Sequence, residues 1–142
     1  RRNKTIKKMK RIDVTTWAYV ATIIIVYFLG TAMGLTQEVI TASNFNNKIA
    51  KDVVAVEFWA EWNKANQFNE LNKLKEASKY RVDIMHCTKL QAEYSITAVP
   101  TVIIFDNGVE KERFNANIMF QLEADKKTIQ NSIDTIILNK FQ

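Results

Sequence analysis

No charged residue occurs between Asp13 and Glu38, and residues 14–35 read VTTWAYVATIIIVYFLGTAMGL. As a helix this run spans about 33 Å, enough to cross a hydrocarbon core of about 30 Å. Its apolar residues go all the way round instead of forming a stripe, which argues against a helix buried in a soluble core. Residues 1–13 hold seven Lys/Arg and one Asp, a net of +6, so the rest of the chain carries 13 basic and 14 acidic side chains, a net of −1. The chain therefore reads as a basic tail over 1–13, a transmembrane helix over 14–36 and a folded domain over 38–142. A cleavable signal peptide has the same order of parts, but its apolar core is usually about 7–15 residues, shorter than this run. A retained anchor is the expectation. Basic residues ahead of the helix place the N-terminus on the cytoplasmic side and the domain across the membrane. That means the periplasm behind a bacterial inner membrane, or the intermembrane space for a mitochondrial source. Trp17 and Tyr19 fall where interfacial rings are expected. Gly30 and Gly34, in Gly-x-x-x-Gly spacing, offer a bare strip for packing against another membrane helix. The tail lacks interleaved aromatics, so anionic lipid headgroups are its expected partner, not nucleic acid.

Composition narrows the chemistry of the domain. The chain has one Cys, one His, one Pro and three Gly. One cysteine makes no intrachain disulfide and no cysteine-based zinc cage, and one histidine makes no histidine-rich metal site. No metal and no cofactor is called for. The patterning alternates instead between strand-like and helix-like segments. Val53–Phe58 and Thr101–Asp106 are short runs rich in β-branched residues, as strands buried on both faces require. Ala65, Phe68, Leu71, Leu74 and Ala77 recur every three residues and predict a helix over Asn63–Lys79. Arg81–His86 reads as a strand and Lys89–Tyr94 as a short helix. Asp106-Asn107-Gly108 predicts a tight hairpin into Val109–Phe114, because Asn-Gly tolerates positive φ. An amphipathic helix over Asp125–Phe141 closes the order β-α-β-α-β-β-α, with parallel strands joined by helices and then an antiparallel hairpin.

Three of these segments carry a resemblance. Phe58-Trp59-Ala60-Glu61-Trp62, leading out of the first buried strand, is similar to the approach to the active site in the thioredoxin family. Val99-Pro100-Thr101 resembles that family's cis-proline loop, and Phe105-Asp106-Asn107-Gly108 its hairpin. The resemblance covers residues 38–142 and implies an α/β thioredoxin-like mixed sheet flanked by helices. Where redox-active members have Cys-x-x-Cys, however, this chain has Asn63-Lys64-Ala65-Asn66. In a thioredoxin the first thiolate attacks a disulfide and the second resolves it. An amide does neither, so dithiol exchange at this position is excluded. By the same resemblance Glu57 matches a buried acid that handles protons for the cysteines, and Arg81 its basic neighbour; without thiols a structural Glu57–Arg81 pair is expected. Asn115 stands where the family has Gly, and a left-handed backbone is expected there.

The function so read is a redox-inactive, thioredoxin-like interaction protein, a single-pass accessory or scaffold subunit of a larger membrane assembly, and not an enzyme. Trp62, Asn63, Lys64, Ala65, Asn66 and Pro100 would form its extramembrane contact surface, and Gly30 and Gly34 its intramembrane one. Two alternatives stand beside it. One is a membrane-tethered holdase that binds peptides in the old substrate groove. The other is a monothiol redox protein acting through Cys87, against which stands the tendency of a lone cysteine to be a small buried apolar side chain.

Overall fold

The computed structural model describes residues 37–142. The expected basic tail, the transmembrane helix, Gly30 and Gly34 lie outside the described residues. Among the described residues no helix is long and apolar enough to cross a membrane. Residues Gln37–Gln142 form one compact unit.

Its centre is β1 (Val53–Trp59), which is buried along almost its whole length. Side chains alternate between the faces of a strand. Val54, Val56 and Phe58 accordingly enter one core layer, with Phe45, Ile103, Phe105 and Leu90. Val53 and Ala55 enter the other, with Phe68, Leu71, Leu74, Ile104, Ile129 and Ile133. On one side of β1 lies β2 (Ser78–Asp83), parallel, with Glu57 opposite Arg81. On the other lies β3 (Thr101–Asp106), then β4 (Val109–Phe114), giving the order β2-β1-β3-β4. β3 runs antiparallel to β1, not parallel as the alternating pattern suggested. A strand buried on both faces is equally apolar in either direction, so its composition carries no directional signal. The β3–β4 hairpin turns as expected, with Asn107 at φ 50° and Gly108 at φ 82°. β4 is an edge strand, and its exposed Glu110, Lys111 and Glu112 discourage pairing with another sheet.

The predicted helix over Asn63–Lys79 does not form. Two 3-10 turns, Glu61–Asn66 and Leu71–Lys73, take its place, and β2 begins three residues before the expected Arg81. A spacing of three is the period of a 3-10 helix as much as a sign of an α-helix, and Phe68, Leu71 and Leu74 are all buried. The deciding contact comes from β1. The Glu57 carboxylate accepts the Phe68 N–H at 2.6 Å, while Arg81 donates to the Phe68 carbonyl at 3.0 Å. The Phe68 N–H is thereby taken by a side chain, while its carbonyl, besides Arg81, accepts the Leu71 N–H at 3.2 Å, a bond of 3-10 and not α-helical type.

Three α-helices complete the domain. α1 (Phe45–Ile49) was not visible in the pattern; five residues are too short for periodicity to register, yet Phe45 and Ile49 are both buried. α2 (Thr88–Glu93) lies within a residue of its predicted position. α3 (Lys126–Asn139) buries Ile129 and Ile133, and its first turn is capped by Asp125, whose carboxylate accepts the Thr128 N–H at 2.8 Å. Asn115 does not adopt a left-handed backbone. Phe120, in the loop that follows, does, at φ 56°.

Candidate functional site

At the end of β1 the chain passes through extended Ala60 into the turn Glu61–Asn66. Within that turn Asn63 departs from helical geometry, at φ −113° and ψ 23°, and its side chain is buried. The departure aims the amide at two loops distant in sequence. Asn63 Nδ2 donates to the Val99 carbonyl at 2.8 Å and to the Phe120 carbonyl at 2.9 Å, while Asn63 Oδ1 accepts from Asn66 Nδ2 at 2.9 Å. Both amide hydrogens of Asn63 are thus engaged. Val99–Pro100 is a cis peptide, and Thr101 Oγ1 donates to the Ala98 carbonyl at 2.8 Å, holding the same loop.

Of the residues anticipated for a contact surface, the structure brings Trp62, Asn63, Asn66 and Pro100 to this end of the sheet with different exposures. Trp62 is 58% exposed and meets Phe120 edge-on with ring centroids 5.3 Å apart. Pro100 is buried and Asn66 half-buried, so neither presents much surface. Lys64 and Ala65 are exposed, and Lys64 pairs with Glu61 at 3.1 Å on the solvent side. Such an exposed pair contributes little to stability. Beside Trp62 lies a groove of about 200 Å³ lined by Ile84, Met85, Ile96, Val99 and Phe120 among others, with no charged side chain in its wall. Met85 and Phe120 were not anticipated. The only hint of Phe120 in the sequence is the apolar run Ile118-Met119-Phe120 in an otherwise polar stretch, too short to read as an element.

Under this end sits the expected ion pair. Arg81 Nε donates to Glu57 Oε2 at 2.6 Å, with the Glu57 side chain fully buried. Burial holds the Glu57 carboxyl above its ordinary range, and Arg81 and the Phe68 amide oppose that rise. Cys87 lies in the core layer with Leu90 and Ile84, and is buried. His86 points outward instead, 2.8 Å from Asp83 Oδ2. The two neighbours therefore share no environment, and nothing here matches the accessible, electropositive setting of a reactive thiol. Among the described residues no group of three His, Cys, Asp or Glu side chains is placed to hold a metal ion.

A four-stranded mixed sheet with a cis-proline loop facing the turn after its central strand defines the thioredoxin fold. The thioredoxin family model matches residues 36–134, and the chain belongs to that family. It is 36% identical over 70 residues to a thioredoxin of Mycoplasma genitalium, an alignment covering 45% of this chain and 69% of that protein. With a thioredoxin of Chlamydia trachomatis it shares 31% identity over 84 residues, 54% of this chain and 80% of the other. The crystal structure of Malassezia sympodialis thioredoxin superposes with a TM-score of 0.56 at 24% identity, covering 70% of this chain and 90% of that one. A Halobacterium salinarum thioredoxin superposes with a TM-score of 0.57 at 18% identity, covering 72% and 95%. At these identities the structural likeness speaks for the fold alone.

Proposed function

We propose that the protein is a thioredoxin-fold interaction protein that carries out no dithiol exchange, serving as an accessory or scaffold subunit of a membrane assembly. Asn63 carries this reading. It stands where the resemblance puts the attacking cysteine, and its buried amide holds two loops together instead of presenting a nucleophile. Asn66, where the resolving cysteine would stand, donates to Asn63. The single cysteine is buried elsewhere. The exposed Trp62 and its uncharged groove favour a surface that contacts protein, as aromatic anchors at interfaces do. Membrane attachment through residues 14–36, with the N-terminus cytoplasmic and the domain periplasmic, rests on the uncharged run and the basic residues ahead of it.

Two measurements test the reading. In a dithiothreitol-driven insulin reduction assay, the wild-type protein and Cys87→Ser should leave the rate at background. Acceleration by wild type that disappears in Cys87→Ser would establish monothiol chemistry and overturn the redox-silent assignment. After extraction of the full chain in mild detergent, a particle containing fixed amounts of other proteins is expected. A particle free of other proteins overturns the accessory role, and heterogeneous, substoichiometric clients replace it with a holdase.

A further inference from the structure

We propose that the hairpin end of the sheet, where Val109, Leu138 and Phe141 are exposed, rests on the lipid surface of the membrane, so that the Trp62 end points away from it. The proposal rests on the membrane attachment proposed above, and it adds which face of the domain meets lipid. The path of the chain carries it. The anchor read over 14–36 ends next to Gln37 in the sequence, which leaves no linker. From Gln37 onward the chain is fastened to the outer edge of β2. Gln37 Nε2 donates to the Lys79 carbonyl, the Arg81 N–H donates to the Glu38 carbonyl at 3.0 Å, and the Ile40 N–H donates to the Arg81 carbonyl at 2.8 Å. Val39 pairs with Arg81 in parallel, so the chain runs beside β2 from its start toward its end. Ser78 stands opposite Val54 and Asp106 opposite Val53, which puts the start of β2 level with the hairpin turn. The domain is therefore entered at its hairpin end. At about 3.3 Å per residue, the seven residues of β1 set the Trp62 end about 23 Å further on. The exposed Ile118–Phe120 loop reaches the same membrane only if residues 38–40 peel off β2.

The hairpin end displays apolar side chains that the core does not use. Val109 is 57% exposed, Leu138 64% and Phe141 83%. Lys140 Nζ lies 2.6 Å from Asp106 Oδ1, which brings the end of α3 beside the hairpin. The Phe141 N–H donates to the Leu138 carbonyl at 3.1 Å, keeping that last turn wound. Apolar side chains presented in this way settle about 5–10 Å into the headgroup boundary of a bilayer. Charge does not oppose the contact. Of the carboxylates at this end, Asp106 is paired with Lys140 and Glu38 with Lys48 at 2.7 Å, and Lys51 offsets its neighbour Asp52. Lys111 is exposed and lines the hollow beside Asp106 and Lys140, where a lysine favours lipid phosphates.

The test uses the full chain in vesicles of phosphatidylethanolamine and phosphatidylglycerol. The buried Cys87 is changed to Ala, and one fluorophore is attached at Val109→Cys, Phe141→Cys or Ile118→Cys. All three side chains are exposed, so these substitutions leave the packing alone. Lipids brominated on their acyl chains should quench the labels at 109 and 141 about twofold or more beyond the label at 118, because only the first two sit at the headgroup boundary. Adding Leu138→Glu and Phe141→Glu should bring the label at 109 down to the level of 118. Quenching at 118 as strong as at 109, no quenching at any position, or quenching at 109 that survives the two glutamates each overturns the proposal. Extraction with alkaline carbonate judges the attachment separately. A chain that stays in the vesicles with unquenched labels at 109 and 141 keeps the anchor and loses the contact. A chain released by carbonate whose labels were quenched beforehand keeps the contact and loses the anchor.

Discussion

Two polar knots lie near the C-terminal end of β1, one at Glu57 within the strand and one at Asn63 in the turn after it, and they are built from different chemistry. The Glu57–Arg81–Phe68 knot is charged and buried under the second core layer. The Asn63–Val99–Phe120–Asn66 knot is neutral and sits at the rim. The charged knot ties a β-strand to the irregular segment that replaces a helix, so it sets the fold. The neutral one ties three loops and so sets the surface. Removing half of an ion pair strands a buried charge, whereas removing an amide strands neutral carbonyls, which are less costly to leave unpaired.

The sharpest way to break that contrast is Glu57→Ala. Loss of one partner from a buried pair costs roughly 3–5 kcal/mol, because Arg81 keeps its charge with only a 14% exposed side chain. Urea unfolding should show this directly, and the double change Glu57→Leu with Arg81→Met should cost less than Glu57→Ala alone. An equal or larger loss in the double variant would mean that packing, not charge, governs the knot.

Asn63→Ala comes next, with an expected loss of about 1–3 kcal/mol for the buried Val99 carbonyl and the part-buried Phe120 carbonyl left without this donor. Its signature is local. Amide hydrogen exchange should quicken over Asn117–Gln121 and around Val99 while β1 and β3 keep their protection. Uniform loss of protection would place Asn63 in the core rather than at the surface.

A smaller effect concerns pH. Burial raises Glu57 above its ordinary value near 4.5, so the folded state binds that proton more tightly than the unfolded state. The corresponding stability is fully present below the ordinary value and is lost as pH rises through the higher folded value. Glu57→Gln should remove this decline from the urea midpoint measured between acid and neutral pH. A wild type whose midpoint instead rises through that window, with the rise absent in Glu57→Gln, would show that Arg81 outweighs burial. Smallest of all is Ile118→Glu, which should move stability by no more than about 0.5 kcal/mol, as exposed substitutions do.

Much of the frame was legible beforehand. β3 and β4 fall where the β-branched run and Asn107-Gly108 put them, since a doubly buried strand and a positive-φ turn each leave a local signature. The Asn63–Lys79 segment was misread because its regular spacing is local while the groups that interrupt it, Glu57 and Arg81, come from neighbouring strands. Similarly, the motif resemblance pointed to Trp62, Asn63 and Pro100. It did not reveal Met85 or Phe120, which reach the groove only through folding.

The amino-acid sequence by itself determined the chemistry this position lacks. With amides at 63 and 66 and one cysteine in the whole chain, no arrangement in space supplies a dithiol. What Asn63 does instead was decided by the tertiary structure alone. A primary amide has the same donors and acceptor wherever it stands, and its bonds depend on which carbonyls lie within about 3 Å. Val99 and Phe120 are 36 and 57 residues away along the chain, and only the packed sheet brings them there.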